Sequence, residues 1–390
     1  MRIAYVSSFY PNGMDASRVL RSFPLLTHLP IAVRRRGHRV RVLGRAATPL
    51  RAHRDGVGFE ITRPGVLSRA TSHVLHRWKP RYGDSYYQLP WELALRIRAL
   101  KPDIVHAFGL TMDLHLAVIS RAAQSVGAPL VVHYHGGVPA DSRLLRAIQH
   151  GNLRRTDALL VTAVEQARPW SDAGLVRERL RIFEVVESSS PFTGLDRRRA
   201  RAETGMTGDP VCLSAGRLHP IKDPLTTLRG FERIARARPS ARLYLYYLSN
   251  DMPDEVSAFV ASRPLLPGRV EFRGRAEPHE MEAVYSSADY LLQASRREWS
   301  GLAVLEAMSC GCIPVVSDIP SFRALTDDGK WGLLFPLGDD RALADLVLEQ
   351  SSAARSRMGR DVQTFFQSEL SFDAMAGKLE AVYQSLLDRD

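Results

Sequence analysis

The feature that most constrains the fold is a regular alternation of short apolar strands with helical stretches, which begins twice along the chain. The first series opens with an apolar strand at Arg2–Ser7, followed by a loop and a helical stretch that reaches Arg36, with Gly37 before the next strand. Strand, helix and strand in this order predict a right-handed βαβ unit. Repetition of such units predicts a parallel sheet with helices on both faces.

The rest of the first series follows the same pattern. Pro24 and Pro30 interrupt the first helical stretch, so we expect a kink or two shorter helices there. Residues 65–90 carry many aromatics and two prolines, and we expect a loop-rich segment. Further strands are predicted at Arg39–Leu43, Val57–Arg63, Asp103–Ala107, Pro129–Tyr134, Ala158–Thr162 and Arg181–Val186, and helices at Trp91–Leu100 and Leu114–Val126.

A second series begins after a turn-rich stretch at residues 188–194. Its strands are predicted at Val211–Ala215, Arg242–Tyr247, Val270–Arg273, Tyr290–Gln293 and Ile313–Val316. Its helices are predicted at Leu225–Arg236, Asp254–Ala261, His279–Ser286, Leu302–Ser309 and Ala342–Gln350, and an amphipathic helix at Phe372–Leu387 closes the chain.

These 390 residues therefore predict two facing Rossmann-like, doubly wound α/β domains. We expect an N-terminal domain at 1–187, a C-terminal domain at 188–368, and a final segment at 369–390 that packs back on the N-terminal domain. Ligands of such sheets bind beyond the carboxyl ends of the strands. A cleft between the two domains is the expected site.

The charge and cysteine content indicate which binding partners and which cellular compartment to expect. The net charge is +11, which favours anionic partners such as phosphorylated substrates, an anionic membrane face or nucleic acid. We expect no specific nucleic-acid partner, because no helix-turn-helix, zinc or RNA-binding signature is present. Three cysteines, no export signal and no run of about 18 uncharged apolar residues predict a cytoplasmic protein. Peripheral contact with the inner face of a membrane stays open.

The first chemical motif is the stretch SRREWSGLAVLEAMSCGC, residues 295–312. It predicts a loop that enters a helix at Gly301, where free backbone N–H groups and the helix dipole favour an anion. Glu298 and Glu306 flank this entry, with seven residues between them, and could reach hydroxyl groups of the same ligand. An anion flanked by sugars is a nucleotide sugar. The alternative is an amphipathic core helix with two solvated glutamates.

The second motif is SAGRLHPIKDP, residues 214–224. Gly216 permits a sharp turn at the predicted end of a strand. Arg217 offers a planar fork for phosphate, and Lys222, five residues later, offers a point charge. Two cations at a carboxyl end of a strand suit a diphosphate, whereas the alternative is two surface cations at a turn.

Taken together, these motifs resemble glycosyltransferase family 4, whose members have the GT-B fold and retain anomeric configuration. The resemblance covers nearly the whole chain. It is carried by segments in the family's order: GHRVRV, PDIVHA, VVHYHGG, GRLHPIK, EFRGR, EWSGLAVLE and WGLLF.

The resemblance implies a role for each matching residue. Arg217 and Lys222 would hold the donor diphosphate, Glu298 a hydroxyl of the transferred sugar, and Glu306 the ribose. The backbone of Gly216, Ser300, Gly301 and Leu302 would approach the phosphates and the sugar, and Gly274 with Arg275 would read the base. Gly13 would let the first loop approach the donor. His135 would contact the sugar near the reacting carbon, with His133 as the competing choice.

The implied activity is metal-independent transfer of a sugar from a nucleoside-diphosphate sugar to a hydroxyl acceptor, a glycan, a glycolipid or a small molecule, with no cofactor. The alternatives are a nucleotide-sugar epimerase or a sugar phosphorylase of the same fold, or a non-catalytic binding protein. Two departures from the family's pattern stand out. Ser300 occupies the place of an aromatic residue, and Glu187–Ser190 replace the interdomain Asn-Gly turn.

Overall fold

The computed structural model describes residues 1–8, 14–78, 88–110, 114–250 and 252–388, so Gly13 lies outside the described residues. The chain divides into two compact units, Met1–Ser188 together with Phe372–Asp390, and Ser189–Ser371. Both are parallel-sheet α/β domains, which confirms the predicted fold class. Across the described ranges, every helix is too short or too polar to cross a membrane.

The first unit is built on an eight-stranded sheet with the order β3-β4-β2-β1-β5-β6-β7-β8. All neighbouring strands pair in parallel except β3 and β4, which form an antiparallel edge. The bounds are β1 Arg2–Ser7, β2 Arg39–Arg45, β3 Leu50–Arg54, β4 Val57–Thr62, β5 Ile104–Leu110, β6 Leu130–Tyr134, β7 Ala158–Val161 and β8 Arg181–Glu184.

Helices cover this sheet. Their bounds are α1 Ala16–Ser22, α2 His28–Arg35, α3 Val66–Trp78, α4 Trp91–Leu100, α5 Leu114–Ser125, α6 Arg143–Leu153 and α7 Arg168–Asp172. The predicted break at Pro24 is present: α1 ends at Ser22, and a single 3-10 turn, Pro24–Leu26, precedes α2. Pro30 lies within the first turn of α2, where a missing N–H costs no helical hydrogen bond.

The second unit is a six-stranded sheet in which all neighbours are parallel, with the order β11-β10-β9-β12-β13-β14. The bounds are β9 Val211–Leu218, β10 Arg242–Asn250, β11 Val270–Gly274, β12 Tyr290–Gln293, β13 Ile313–Ser317 and β14 Leu333–Phe335. Apolar side chains from β9, β10, β12 and β13 form its core together with buried Phe231 and Leu343 from the covering helices. This arrangement places the carboxyl ends of β9, β11 and β12 along one edge.

The covering helices of this unit are α8 Arg197–Thr204, α9 Pro224–Ala237, α10 Pro253–Ala261, α11 Met281–Ser287, α12 Leu302–Ser309, α13 Pro320–Thr326, α14 Asp340–Leu348 and α15 Ser352–Phe365. A 3-10 turn, Pro220–Lys222, follows β9, and a π-helical turn, Phe366–Leu370, ends α15. The last helix, α16 Phe372–Leu387, belongs to the first unit and packs against α2.

The structure corrects three predictions. Residues 65–90 are not loop throughout, because α3 occupies Val66–Trp78, while residues 79–87 lie outside the described residues. The sheet of the first unit is not wholly parallel, because the Asp55–Gly56 turn folds β3 back onto β4. Strand β9 does not end at Ala215 but continues to Leu218, so Arg217 belongs to the strand.

Candidate functional site

The carboxyl end of β9 carries the predicted cationic turn. Gly216 has a φ of +145°, a value that side-chain-bearing residues rarely adopt. His219 holds the next turn, because its Nδ1 accepts a hydrogen bond from the backbone N–H of Ile221 at 3.1 Å. The turn projects Lys222 toward an open cavity that is also lined by Ser214, Gly216, Arg217, Tyr246 and Gln293.

Lys222 forms an ion pair with Glu298: its Nζ contacts Oε1. The two side chains are 20% and 12% exposed, so the pair is largely shielded from water and its attraction exceeds that of a surface pair. Glu298 is held further by the Ser295 hydroxyl, which donates at 2.8 Å, and by Gln293 Nε2, which donates at 3.3 Å. The first and second motifs therefore meet at this point.

Arg217 differs from Lys222 in its surroundings. It is exposed, and no carboxylate of the described residues lies within ion-pairing distance of its guanidinium. Its fork of N–H donors is therefore open to an anion from solvent.

Helix α12 begins at Leu302, as predicted, and Gly301 is its N-cap residue, with a φ of +62°. A Cβ at this position would lie 2.8 Å from Leu325 Cδ1 and 3.2 Å from Phe322 Cε1, so only glycine fits without rearrangement. No side chain caps the helix start, while Ser300 is partly exposed and Leu302 is 39% exposed. Gly301 itself is buried, so the helix start is approachable from the side of Ser300 and Leu302.

Glu306 lies farther along α12 and accepts a hydrogen bond at 2.8 Å from the hydroxyl of Tyr285, which is 1% exposed. Burial raises the pKa of Glu306 to about 7, although the Tyr285 hydroxyl acts in the opposite direction. The carboxyl group can therefore gain or lose a proton near neutral pH.

The base-reading pair of the prediction lies at the end of β11. Gly274 has a φ of +65°, and Arg275 is exposed in the loop that follows. Strand β10 alone separates β11 from β9 in the sheet, so Gly274 and Gly216 belong to the same edge. Strand order therefore places the elements that carry the predicted donor residues at the same edge of one sheet. Among these residues, Lys222 and Glu298 are in direct contact.

In the first unit, His135 follows β6 and its Nδ1 contacts the carboxylate of Glu187. Its Nε2 is shielded from solvent and has no hydrogen-bond partner among the described residues. His133 is fully buried, with Nε2 3.3 Å from the carbonyl of Val185, and burial lowers its pKa to about 3. His133 is therefore a core residue, and His135 is the more accessible of the two.

Three residues that contact predicted site residues were not predicted from the sequence: Glu187, Ser295 and Gln293. The sequence marked Glu187 only as part of a hinge, because its partner His135 is distant in the chain and two strands away in the sheet. A polar residue just after an apolar strand was the available signal for Gln293 and Ser295, which end and follow β12.

Two parallel-sheet α/β units with polar residues along such an edge are typical of enzymes of the GT-B fold. Two family models agree: residues 209–351 match "Glycosyl transferases group 1" and residues 27–185 match "Glycosyl transferase 4-like domain". The chain belongs to these group 1, family 4 glycosyltransferases.

The curated relatives of this chain are named as glycosyltransferases. The chain is 26% identical to a GDP-mannose:cellobiosyl-diphosphopolyprenol alpha-mannosyltransferase of Xanthomonas oryzae, over 72% of this chain and 73% of that protein. It is 27% identical to a sulfoquinovosyl transferase of Arabidopsis thaliana, over 71% of this chain and 56% of that protein.

Solved structures share the fold. Sucrose-phosphate synthase of Thermosynechococcus elongatus matches with a TM-score of 0.69 and 18% identity, covering 99% of each chain. Anabaena HepE in complex with UDP-glucose matches with a TM-score of 0.63 and 15% identity, covering 99% of this chain and all of that one.

Proposed function

We propose that this glycosyltransferase transfers a sugar from a nucleoside-diphosphate sugar to a hydroxyl acceptor, with retention of anomeric configuration and without a metal ion. The carrying observation is the Lys222–Glu298 pair beside Arg217 at the carboxyl end of β9. Such a site offers both a cation for phosphate and a carboxylate for sugar hydroxyls. The UDP-glucose complex of the HepE neighbour is consistent with this donor chemistry.

The fixed cations account for the proposed independence from metal. As the glycosyl–phosphate bond breaks, its electron pair goes to the phosphate oxygen and negative charge grows on the leaving diphosphate. Arg217, Lys222 and the N–H groups after Gly301 stabilise that charge more in the transition state than in the ground state.

Retention follows from the family resemblance. The acceptor oxygen forms its bond to the anomeric carbon on the face that the phosphate leaves. The proton of the acceptor hydroxyl passes to the departing phosphate oxygen, which balances the charges of both products. His135 contacts the sugar near this carbon, and Glu298 accepts a hydrogen bond from another hydroxyl of the same sugar.

The remaining donor contacts use groups of the same edge. Glu306 accepts hydrogen bonds from the ribose hydroxyls, which favours its ionised form. The exposed backbone near Gly274 and Arg275 contacts the base. The resemblance also implies a phosphate contact for Gly13, which lies outside the described residues. Ser300 leaves more room beside the sugar than the aromatic residue of the family's pattern. The space next to Ser300 therefore selects which donor sugar binds.

For the acceptor, we infer a lipid-linked saccharide at the cytoplasmic face of a membrane. The Xanthomonas relative is named for a diphosphopolyprenol acceptor, and the net charge of +11 favours an anionic surface. Anionic-vesicle flotation tests the membrane contact: recovery in the bottom fraction at low salt contradicts it.

One assay tests the reaction. The protein is incubated with UDP- or GDP-sugars labelled in the sugar, with and without EDTA, and with membrane lipid extract as acceptor. A labelled α-glycoside formed equally with EDTA supports the proposal. A free epimer or a sugar phosphate indicates one of the alternative reactions, and loss of turnover with EDTA contradicts the metal-independent mechanism.

A further inference from the structure

An apolar trough lies on the first unit between helices α5 and α6, far along the chain from the donor residues. It has roughly 780 Å³ of open space, part of it continuous with solvent. Trp91 and Leu89 form one wall. The floor is formed by Leu114, Ala117 and Val118 of α5 and by Ala147, Ile148 and Gly151 of α6.

Each of the two helices presents its apolar residues as a stripe that ends in an arginine. The spacing on α5 is i, i+3, i+4 and i+7, from Leu114 to Arg121, which places all four on one face. On α6 the stripe runs from Ala147 through Ile148 and Gly151 to Arg155, just past the helix end. Both helices connect neighbouring parallel strands in the same sense, so Arg121 and Arg155 lie at the same end of the trough.

Neither guanidinium has an acidic partner among the residues that the structure describes. Arg121 Nη1 donates to the carbonyl of Ala117 at 2.8 Å, and Arg155 Nη1 donates to the carbonyl of Gly151 at 2.6 Å. Neither forms an ion pair with any carboxylate of the described residues. Burial lowers the pKa of Arg155, and repulsion from Arg121 and Arg154 lowers it further. Like charges are therefore held together with most of their N–H donors unused.

Gly151 makes this arrangement possible. A Cβ at residue 151 would lie 3.2 Å from Arg155 Nη1, closer than most side-chain contacts. The absence of a side chain lets the guanidinium fold over the helix and face the trough.

We propose that the trough binds a lipid with a phosphate headgroup, with the phosphate between Arg121 and Arg155 and the hydrocarbon chain along the two apolar stripes. The charge is complementary, because both charged lining residues are cations. The stripe on α5 is about 10 Å long, at 1.5 Å per residue, which suits the first part of an alkyl chain. Burial of that chain supplies affinity that phosphate alone lacks.

The phosphate end faces away from the carboxyl edge of the sheet, because α5 and α6 run antiparallel to the strands they follow. Sugar transfer is expected at the carboxyl edge. The lipid in the trough therefore anchors this unit to an anionic bilayer. It is not the acceptor substrate.

Calorimetry with decyl phosphate, decyl maltoside and inorganic phosphate tests the site, with the two decyl compounds kept below their critical micelle concentrations. Decyl phosphate should bind, and the other two should bind at least about tenfold more weakly, because each lacks one half of the recognition. The Arg121→Gln/Arg155→Gln double variant should lose at least about tenfold in affinity for decyl phosphate. Gly151→Ala should reduce the affinity as well.

A control double variant, Arg39→Gln/Arg143→Gln, removes the same charge from two exposed positions outside the trough and should bind like the wild type. The fraction of protein that floats with vesicles containing phosphatidic acid should rank the variants in the same order as their affinity for decyl phosphate. UDP binding should be equal in all variants, so failure of the trough is separable from failure of the donor site. Equal decyl phosphate affinity in both double variants overturns the proposal, and so does equal affinity for decyl maltoside.

Discussion

Lys222 and Glu298 form a shielded ion pair that joins the turn after β9 to the loop before α12. The pair lies where the predicted diphosphate and sugar contacts meet. In the proposed mechanism, each partner therefore has two tasks, since it neutralises the other and contacts the donor. Substitutions of the two residues should consequently have different effects.

Lys222→Ala should lower kcat/KM by about 100-fold or more. The substitution removes a cation that stabilises the leaving diphosphate, an effect of about 3 kcal/mol in the transition state. It also leaves Glu298, which is 12% exposed, without its counter-ion beside a phosphate. Steady-state kinetics with the labelled donor measures the change. The control is Lys330→Ala, which removes an exposed lysine paired with Asp327; comparable losses in both variants would refute the assignment.

Glu298→Gln should separate binding from turnover. The amide still accepts the hydrogen bond from Ser295, while Lys222 becomes free to interact fully with phosphate. We expect unchanged or tighter binding of the nucleoside diphosphate alone, and a kcat lowered by at least about tenfold because the sugar hydroxyl loses a charged acceptor. Calorimetry and single-turnover kinetics measure the two quantities. Weaker nucleotide binding with normal kcat would contradict this division of roles.

Gly301→Ala should destabilise the second unit and impair donor binding. The new methyl group meets Leu325 and Phe322, and the residue keeps a φ of +62°. Left-handed backbone costs about 1–2 kcal/mol for alanine, and overpacking adds about 1 kcal/mol or more. Gly205→Ala is the matched control, because its φ is +67° and nothing lies within 4 Å of the added Cβ. Urea unfolding should show a larger decrease in the free energy of unfolding for Gly301→Ala than for Gly205→Ala. Equal decreases would mean that the contacts with Leu325 and Phe322 do not contribute.

Local patterns predicted the sheets well because buried parallel strands are continuous apolar runs. Helix α12 and its start at Gly301 followed from small residues and a glycine stop. Strand β3 was missed although Asp55–Gly56 is a strong two-residue hairpin signal, because its charged residues do not look like a buried strand. Helix α3 was missed because aromatic residues and prolines farther along the segment dominated its interpretation.

The pairings within the site could not be predicted in the same way. Lys222 and Glu298 are 76 positions apart, and they meet because β9 and β12 are neighbours in the sheet. His135 and Glu187 meet through the order β6-β7-β8. Such contacts depend on strand order, which the spacing of residues in one sequence does not specify.

Nucleotide binding should release a proton near neutral pH. Burial raises the pKa of Glu306 to about 7, whereas an unfolded chain has a value near 4.5. The folded state therefore holds this proton more tightly, and its contribution to stability is lost as the pH rises from about 4.5 to about 7. Ribose hydroxyls favour the carboxylate, so UDP affinity should fall as the pH drops below 7.

Calorimetry in buffers with different ionisation enthalpies measures the released proton. Glu306→Gln should abolish the part of the release, and of the dependence of affinity on pH between 5 and 7.5, that exceeds the titration of the terminal phosphate of UDP near pH 6. A 2′,3′-dideoxyribonucleoside diphosphate lacks the ribose hydroxyls. Its binding to the wild type should release as few protons as the binding of UDP to Glu306→Gln. Equal proton release in the wild type and in Glu306→Gln would assign the titration to another group.

Glu187 should act on the reaction through His135. Its carboxylate contacts Nδ1, which favours the tautomer with the proton on Nδ1 and fixes the orientation of the partly exposed imidazole ring. Glu187→Ala removes this orientation and should lower kcat by about tenfold to 100-fold, with little change in donor KM, since a hydrogen bond to a charged group contributes about 1.5–3 kcal/mol.

Glu187→Gln distinguishes orientation from charge, because its amide oxygen can still accept from Nδ1–H. Rescue of most of the lost activity by this variant would show that orientation is what matters. A kcat that stays as low as that of Glu187→Ala, with a pH profile displaced from the wild type, would assign the effect to the negative charge instead. The control is Glu184→Ala, which removes an exposed glutamate at the end of β8 and should leave kcat unchanged. Wild-type kinetics in Glu187→Ala would remove Glu187 from the mechanism.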